Sequence, residues 1–447
     1  MEKKHLFKTN DENYKKHAYE FCEEYKNFLT FGKTERLCVD YCVEQAKKTG
    51  FVDINSKNSF KTGEKVYYIN KNRSVIFAVI GEEALDSGIN LVAAHIDSPR
   101  IDLKPAPVHS DGGFSYFRTH YYGGIKKYQW VAMPLALYGV VIKKDGTKID
   151  LKIGDNENDP VFTITDLLPH LAAKQMGQKM SEGIQGEKLM LLISSNPDNT
   201  AEKDEVKENL LKILKDKYNI EEDDFYSAEI EIVPTGKASD VGFDRSMIGG
   251  YGQDDRVCAY TGFKAILDID APKRTAVLLL ADREEVGSMG NSGMQSRFLE
   301  YFIEQLDKNI KVNKVMANTK CLSADVSAAF DPQYPEVYEK QNTAVFGSGI
   351  GLLKYTGSRG KGGSSEASAE FVAEIRKIFD DNNIAFQFAE LGKVDEGGGG
   401  TVAQYIANLG ADVLDAGVAL LSMHAPFEIA SKADIYETYR AYNIFLK

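Results

Sequence analysis

The chain has 447 residues, of which 54 are basic and 66 acidic, giving a net charge of −12 at pH 7. That length points to two domains rather than one small core, and the acidic balance argues against a nucleic-acid surface. Aliphatic and aromatic residues are plentiful enough to bury cores, and no apolar run reaches the ~18 residues that would span a membrane.

The N-terminal residues, Met1 to Asn10, carry no signal-like apolar region. The five cysteines, at 22, 38, 42, 258 and 321, form no C-x-x-C pair. Such an odd set fits a reducing cytoplasm and mostly buried thiols.

Residues 11–30 and 34–49 have helical periodicity and stop at Gly50. Ser74 to Ile80 and Asn90 to Ala94 read as strands, and the second runs into His95-Ile-Asp97-Ser-Pro. Residues two apart on a strand share a face, so His95 and Asp97 project together. A metal-bound imidazole commonly gives its other nitrogen to a carboxylate. The pair can thus supply a ligand and its orienting partner, although a structural histidine is the plainer reading of the pair alone.

From about 101 to 236 the texture becomes β-rich, with a hairpin at Lys143-Lys-Asp-Gly-Thr, a short helix predicted from Thr165, and a solvated helix over 201–218. Phe225 to Val233 reads as a strand. Prolines 99, 105 and 107 on entry and Pro234-Thr-Gly on exit mark 101–236 as an inserted domain within an α/β domain formed by 1–100 and 237–447. Two consecutive domains would instead separate His95 from the acidic motifs downstream.

After Gly249-Gly-Tyr-Gly, Asp254 and Asp255 open a predicted helix 256–268, where the helix dipole favours negative charge. The apolar run Thr275 to Ala281 reads as a buried strand that ends in Asp282-Arg-Glu284-Glu285. In an open parallel sheet, ligands bind just beyond the carboxyl ends of strands. Alone, the two glutamates would be a charged turn facing water; in context, one can hold a metal while its neighbour handles a proton. A helix is predicted over 293–306 and a strand over 314–323, ending in Ala324-Asp325. An irregular Gly-rich stretch, 335–364, is expected to form part of a substrate-site wall. Helix 365–380, strand 384–391, a glycine run 397–400, helix 401–409, strand 413–421 ending in Ser422-Met-His424, and a final helix 431–445 complete the reading.

Strand ends and helix starts therefore present His95, Asp97, Asp254, Glu284, Glu285, Asp325 and His424. Imidazoles and carboxylates without thiolates suit one or two borderline-hard divalent ions, zinc first, with cobalt or manganese as alternatives. Two adjacent ions need a bridging carboxylate. Asp254 fits that role, with His95 and Asp325 completing one site, Glu285 and His424 the other, and Glu284 left as general base.

These motifs, His95-Ile-Asp97-Ser-Pro, Asp254-Asp-Arg, Asp282-Arg-Glu284-Glu285-Val-Gly-Ser, Ser323-Ala-Asp325 and Ser422-Met-His424, occur in an order that resembles aminopeptidase family M18 across nearly the whole chain. That is the group of aspartyl aminopeptidase, vacuolar aminopeptidase I and bacterial aminopeptidase 1. The resemblance implies a dinuclear zinc exopeptidase acting on peptides with a free N-terminus. It also implies a three-layer α/β/α catalytic domain of the zinc-exopeptidase kind, an inserted β-rich dimerisation domain, and homododecamers built from dimers. It gives the metal and base residues the roles above, and Asp97 that of orienting His95.

Two departures stand out. Many members have Asp-Asn where this chain has Asp254-Asp255, and members commonly read P-H-L-x-x-H where it has Pro169-His170-Leu-Ala-Ala-Lys174. The second histidine of that motif serves a neighbouring subunit's site, a role left open here among His120, His170 and Lys174. Acidic-specific members carry a lysine near the position of Val345 or Phe346, so the resemblance implies a neutral, apolar N-terminal preference with Phe346 in the pocket. Lys354 or Lys361 would reverse this by restoring a basic pocket. The alternative function is a deblocking peptidase or deacylase on the M42-like plan with the same metals; a non-enzymatic shell is disfavoured by the intact Glu284.

Overall fold

The computed structural model describes residues 3–57 and 59–447. Contacts divide the chain into two compact units. The first comprises the chain up to Ser98 together with Lys237–Met423 and Phe427–Lys447; the second comprises Pro99–Gly236 with His424–Pro426.

The first unit is built on a nine-stranded sheet among the described residues. Its centre is four parallel strands in the order Ala276–Ala281, Asn90–His95, Lys320–Ser323 and Asp412–Gly417. Such strands are covered on both faces and read as near-continuous apolar runs, as Ala-Val-Leu-Leu-Leu-Ala does here. Antiparallel strands flank this centre: Ser74–Val79 beside 276–281, and Ile350–Leu353 beside 412–417.

Alternate residues feed two cores. Val92, Ala94, Leu278, Leu280 and Leu322 point to one cluster, which includes Tyr25, Phe28, Val39, Phe263, Phe379 and Tyr442. These come from helices Glu12–Phe31, Glu35–Lys48, Gln253–Leu267, Ala369–Asp381 and Lys432–Leu446. Leu91, Ala93, Val277, Leu279 and Cys321 point to the other, with Phe298, Phe302, Val315, Met316 and Ile406. Each fully buried Leu, Val or Phe contributes about 1.5–3 kcal/mol, so the sheet is fixed from both sides as the middle of an α/β/α sandwich. A separate five-stranded sheet, ordered 239–241, 247–250, 428–431, 419–421 and 327–328, belongs to the same unit.

The second unit holds a six-stranded antiparallel sheet in the order Lys148–Ile153, Leu135–Ile142, Ala228–Pro234, Arg100–Asp111, Phe114–Tyr122 and Leu191–Ser194. The helix Glu205–Tyr218 buries Leu210 and Leu214 and leaves its charged face exposed.

Several element boundaries differ from those predicted. No helix starts at Thr165, because Pro169 restricts the residue before it; a 3-10 turn Pro169–Leu171 and one-turn helices Ala173–Met176 and Met180–Gly183 stand there instead. The predicted strand 314–323 is helix Val312–Ala317 followed by strand Lys320–Ser323. Val312, Val315 and Met316 follow helical spacing and pack on the second core. The predicted helix 293–306 begins only at Phe298. The five cysteines are buried and form no disulfide among the described residues. Among the described residues no helix is long and apolar enough to cross a membrane.

Candidate metal and catalytic site

The parallel register assembles the site. Ala281 pairs with His95, and Ser323 pairs with Ala93, so Asp325 two residues later comes level with His95. The carboxyl ends of three neighbouring strands thus deliver Asp282 to Glu285, His95 and Asp325 to one edge, where such sheets bind ligands.

His95 is the hub and is 1% exposed. Its Nδ1 lies 3.0 Å from the Asp97 carbonyl oxygen and 3.3 Å from Asp97 Oδ1. A proton held on Nδ1 by those oxygens leaves the lone pair on Nε2. Around Nε2 stand Asp254 Oδ1 at 3.3 Å, Glu284 Oε2 at 3.9 Å and Asp325 Oδ1 at 3.9 Å. Burial pulls the imidazole towards neutrality, but hydrogen bonds to Asp254 and Asp97 and the charge of Glu284 outweigh it and raise its pKa well above the ordinary value.

Asp97 also accepts the backbone N–H of Glu284 at Oδ1, 3.1 Å, and that of Glu285 at Oδ2, 3.2 Å. One carboxylate thereby fixes both the imidazole and the Glu284–Val286 turn. Arg283 and Gly287 flank that turn in left-handed conformation, at φ 66° and 91°.

Asp254 lies at the kinked start of the helix Gln253–Leu267. Its backbone N–H donates to Glu428 Oε2 at 3.1 Å, and Ser98 Oγ donates to its carbonyl at 2.7 Å. Gln253 donates to the Glu428 carbonyl at 2.6 Å and receives the Tyr25 hydroxyl at 3.3 Å. Glu428, 1% exposed, carries no motif that would mark it in the sequence. Asp255, the departure from Asp-Asn, has its Oδ2 accepting from the His95 backbone N–H at 3.2 Å. Its side chain is fully buried. Burial, and then the charge of Asp254, push its carboxyl pKa well up, with His95 opposing.

His424 opens the three residues assigned to the second unit. Its backbone is left-handed, φ 65°, and its Nδ1 lies 2.9 Å from the Gly124 carbonyl oxygen. A Cβ on Gly124 would come within 3.3 Å of that nitrogen, a tight contact. As at His95, a carbonyl on Nδ1 favours Nε2 as the ligand atom.

Of the tentative substrate residues, His170 is exposed on the 3-10 turn Pro169–Leu171, and Lys174 is exposed just beyond it. Phe346 is half-buried against Ala329, Ala344, Leu353, Ala389 and Ala419.

The donor set fits a divalent cation. Ligand atoms of His95, Asp254 and Asp325 lie within 4.8 Å of one another, as do those of His95, Glu284 and Glu285. Imidazole and carboxylate without thiolate is zinc-compatible chemistry. The crowding itself calls for positive charge: burial first, then the charge of Asp255, with smaller contributions from Glu284 and Asp254, raises the Asp325 carboxyl well above the ordinary range against the pull of His95.

Comparison with known proteins agrees. Residues 28–446 match the family described as Aminopeptidase I zinc metalloprotease (M18). A probable M18 family aminopeptidase 1 of Clostridium acetobutylicum is 50% identical over 456 residues, covering 100% of this chain and 98% of that protein. The crystal structure of an M18 family aminopeptidase from Thermotoga maritima is similar at a TM-score of 0.96 and 44% identity, covering 100% of this chain and 99% of that one. A Saccharomyces cerevisiae protein solved as a dodecamer shares the fold at a TM-score of 0.77 and 20% identity, covering 97% of each chain. The chain belongs to the M18 family of zinc metalloproteases and is a metalloaminopeptidase.

Proposed function

We propose that this aminopeptidase works with two divalent ions, zinc first, and with Glu284 as general base. His95, Asp254 and Asp325 would hold one ion, and Asp254, Glu285 and His424 the other. The observation that carries this reading is the ring of carboxylates around His95 Nε2, with Asp254 at 3.3 Å and Glu284 and Asp325 both at 3.9 Å. When bound, such ions polarise the scissile carbonyl and lower the pKa of water.

The chain's own residues do the rest. Asp97 keeps the His95 proton on Nδ1 and holds the Glu284 backbone, so that the Glu284 carboxylate faces the cluster. Glu284 accepts a proton from the attacking water and returns it to the departing amine as the C–N bond breaks. His424 enters the ligand set on its chemistry, with Nδ1 engaged by a carbonyl as in His95. Substrates are peptides with a free N-terminus, and the five buried thiols suit a cytoplasmic setting.

The pocket prefers neutral, apolar N-terminal residues, with Phe346 contributing to its wall. The two lysines that would reverse this are engaged by one carboxylate: Glu366 Oε1 lies 3.0 Å from Lys361 Nζ and 3.8 Å from Lys354 Nζ. Lys361 also lies over the Tyr355 ring at 3.9 Å. Leucine anilide should be turned over with a kcat/KM at least about tenfold above aspartyl anilide, the scale of a modest pocket discrimination. The reverse order would overturn the preference, and turnover of an acetylated leucyl peptide would favour a deblocking enzyme instead.

The assembly we propose is a homododecamer built from dimers through the second unit, which exposes Leu167, Leu168, Leu171, Met176 and Met180 by 45–77%. Light scattering should then give twelve times the 49.7 kDa chain mass; a monomeric mass at micromolar concentration would refute it.

A further inference from the structure

The Glu284–Val286 turn is gripped from behind by a hairpin far away in sequence. Strands Lys65–Asn70 and Ser74–Val79 are joined by a tight turn in which Lys71 and Asn72 both take φ 55°. Asn70 Nδ2, on this turn, donates to the Asn291 carbonyl at 2.8 Å. Arg73 pairs through Nε with Asp282 Oδ2 at 2.9 Å and through a terminal nitrogen with Glu35 Oε1 at 2.9 Å. Asp282 in turn accepts from Ser292 Oγ at 2.6 Å, and its backbone N–H donates to the Ser292 carbonyl at 3.3 Å. The segment 282–292 is therefore a loop closed at its neck, and the hairpin turn holds both sides of that neck.

The geometry points to Arg73 as a positioning residue for catalysis, clamping with Asn70 the closed loop that carries Glu284 and Glu285. This rests on the roles given to those glutamates above. Arg73 acts through Asp282, two residues before the base. Asp97 holds the turn from the strand side and Arg73 holds its stem, so the carboxylate of Glu284 is fixed between two anchors.

The clamp is buried: the side chains of Glu35 and Asp282 are 2% and 0% exposed, and that of Arg73 is 19%. Without the guanidinium, the buried Asp282 carboxylate would lose its ion-pair partner. Burial, then Glu35 and Asp97, already push the Asp282 carboxyl up to about 7, and Arg73 is the main group opposing that rise. Removing it would cost the loop its anchor rather than an isolated surface pair. A displacement of about 1 Å at a general base is enough to lower a rate by about 10²-fold.

The test is Arg73→Ala in the full-length, metal-loaded enzyme with leucine anilide as substrate. We expect kcat to fall 10- to 100-fold with KM changed less than threefold, and hydrogen exchange across 283–291 of the metal-free protein to accelerate. Because the Arg73 side chain reaches solvent, millimolar ethylguanidinium should restore part of kcat saturably, while ethylammonium should not. Arg73→Lys should be intermediate, and Asn70→Ala should lose kcat severalfold. Unchanged kcat per folded molecule, with no guanidinium rescue, would overturn the proposal. Should Arg73→Ala fail to fold, wild-type kcat in both Arg73→Lys and Asn70→Ala would overturn it equally. An active Glu284→Gln enzyme alongside a rescued Arg73→Ala would remove the base assignment and leave the clamp standing.

Discussion

Glu284→Gln should lower kcat for leucine anilide by about 10³- to 10⁴-fold, the upper range of a positioned general base, while KM changes little and zinc content stays at the wild-type level. The substitution keeps the side chain's volume and leaves the Glu284 backbone N–H on Asp97 Oδ1. What it removes is an oxygen able to take a proton, 3.9 Å from His95 Nε2 and on a side chain 17% exposed. An interaction needed only as the proton moves should fall out of kcat and kcat/KM together rather than out of binding. The acid limb of the pH–rate profile should also disappear, because it reports the ionisation of the base. Activity within tenfold of the wild type would place the base elsewhere. A loss of zinc in parallel with activity would make Glu284 a ligand and not a base.

The parts of this site that were legible in the sequence are those where one strand end carries its own chemistry. His95, Asp325 and Glu284-Glu285 each follow an apolar run directly, and parallel pairing brings neighbouring run-ends together without further information. Asp97 was legible as a partner of His95, but its grip on two backbone N–H groups was not, since nothing in H-x-D states what lies across the edge. Glu428, Arg73 and Glu35 were invisible for the same reason. A glutamate in an alternating strand and an arginine after a turn look solvated until tertiary structure buries them. The element errors have a similar origin. Residues 312–317 are apolar enough for a strand, yet their spacing is that of a helix packed on Phe298 and Phe302. Residues 293–297 have helical composition, but the neighbouring loop is tied at Asp282 and Ser292, so the helix starts only at Phe298.

Asp254→Asn should separate stability from function most sharply. If Asp254 bridges two ions, an amide in its place cannot share charge between them, and both should bind weakly. Zinc content should fall from two per chain to below one, and activity by more than about 10³-fold, since both the activated water and the polarised carbonyl depend on the ions. The backbone should hold its place, because the Asp254 N–H still donates to Glu428 and its carbonyl still accepts from Ser98. The metal-free variant loses the contact with His95 but should gain on the metal-free wild type as pH rises. Burial is the first cause of the raised Asp255 and Asp325 carboxyls, but the charge of Asp254 adds to both. A carboxyl whose pKa is raised by folding loses stability as pH climbs above the ordinary carboxylate range, because the unfolded chain gives up its proton first. Removing one charge from the group reduces that loss, so the stability of the variant relative to the wild type should rise from pH 5 to pH 8. Added zinc should favour the wild type. A ligand at one hundred times its Kd stabilises by about 2.7 kcal/mol per site, and the wild type should gain this at both sites while the variant gains little. Equal zinc-induced rises in Tm for the two proteins would show that Asp254 is not a ligand. A rise in the wild type about half the expected size, with one ion bound, would reduce the centre to His95, Asp254 and Asp325 alone.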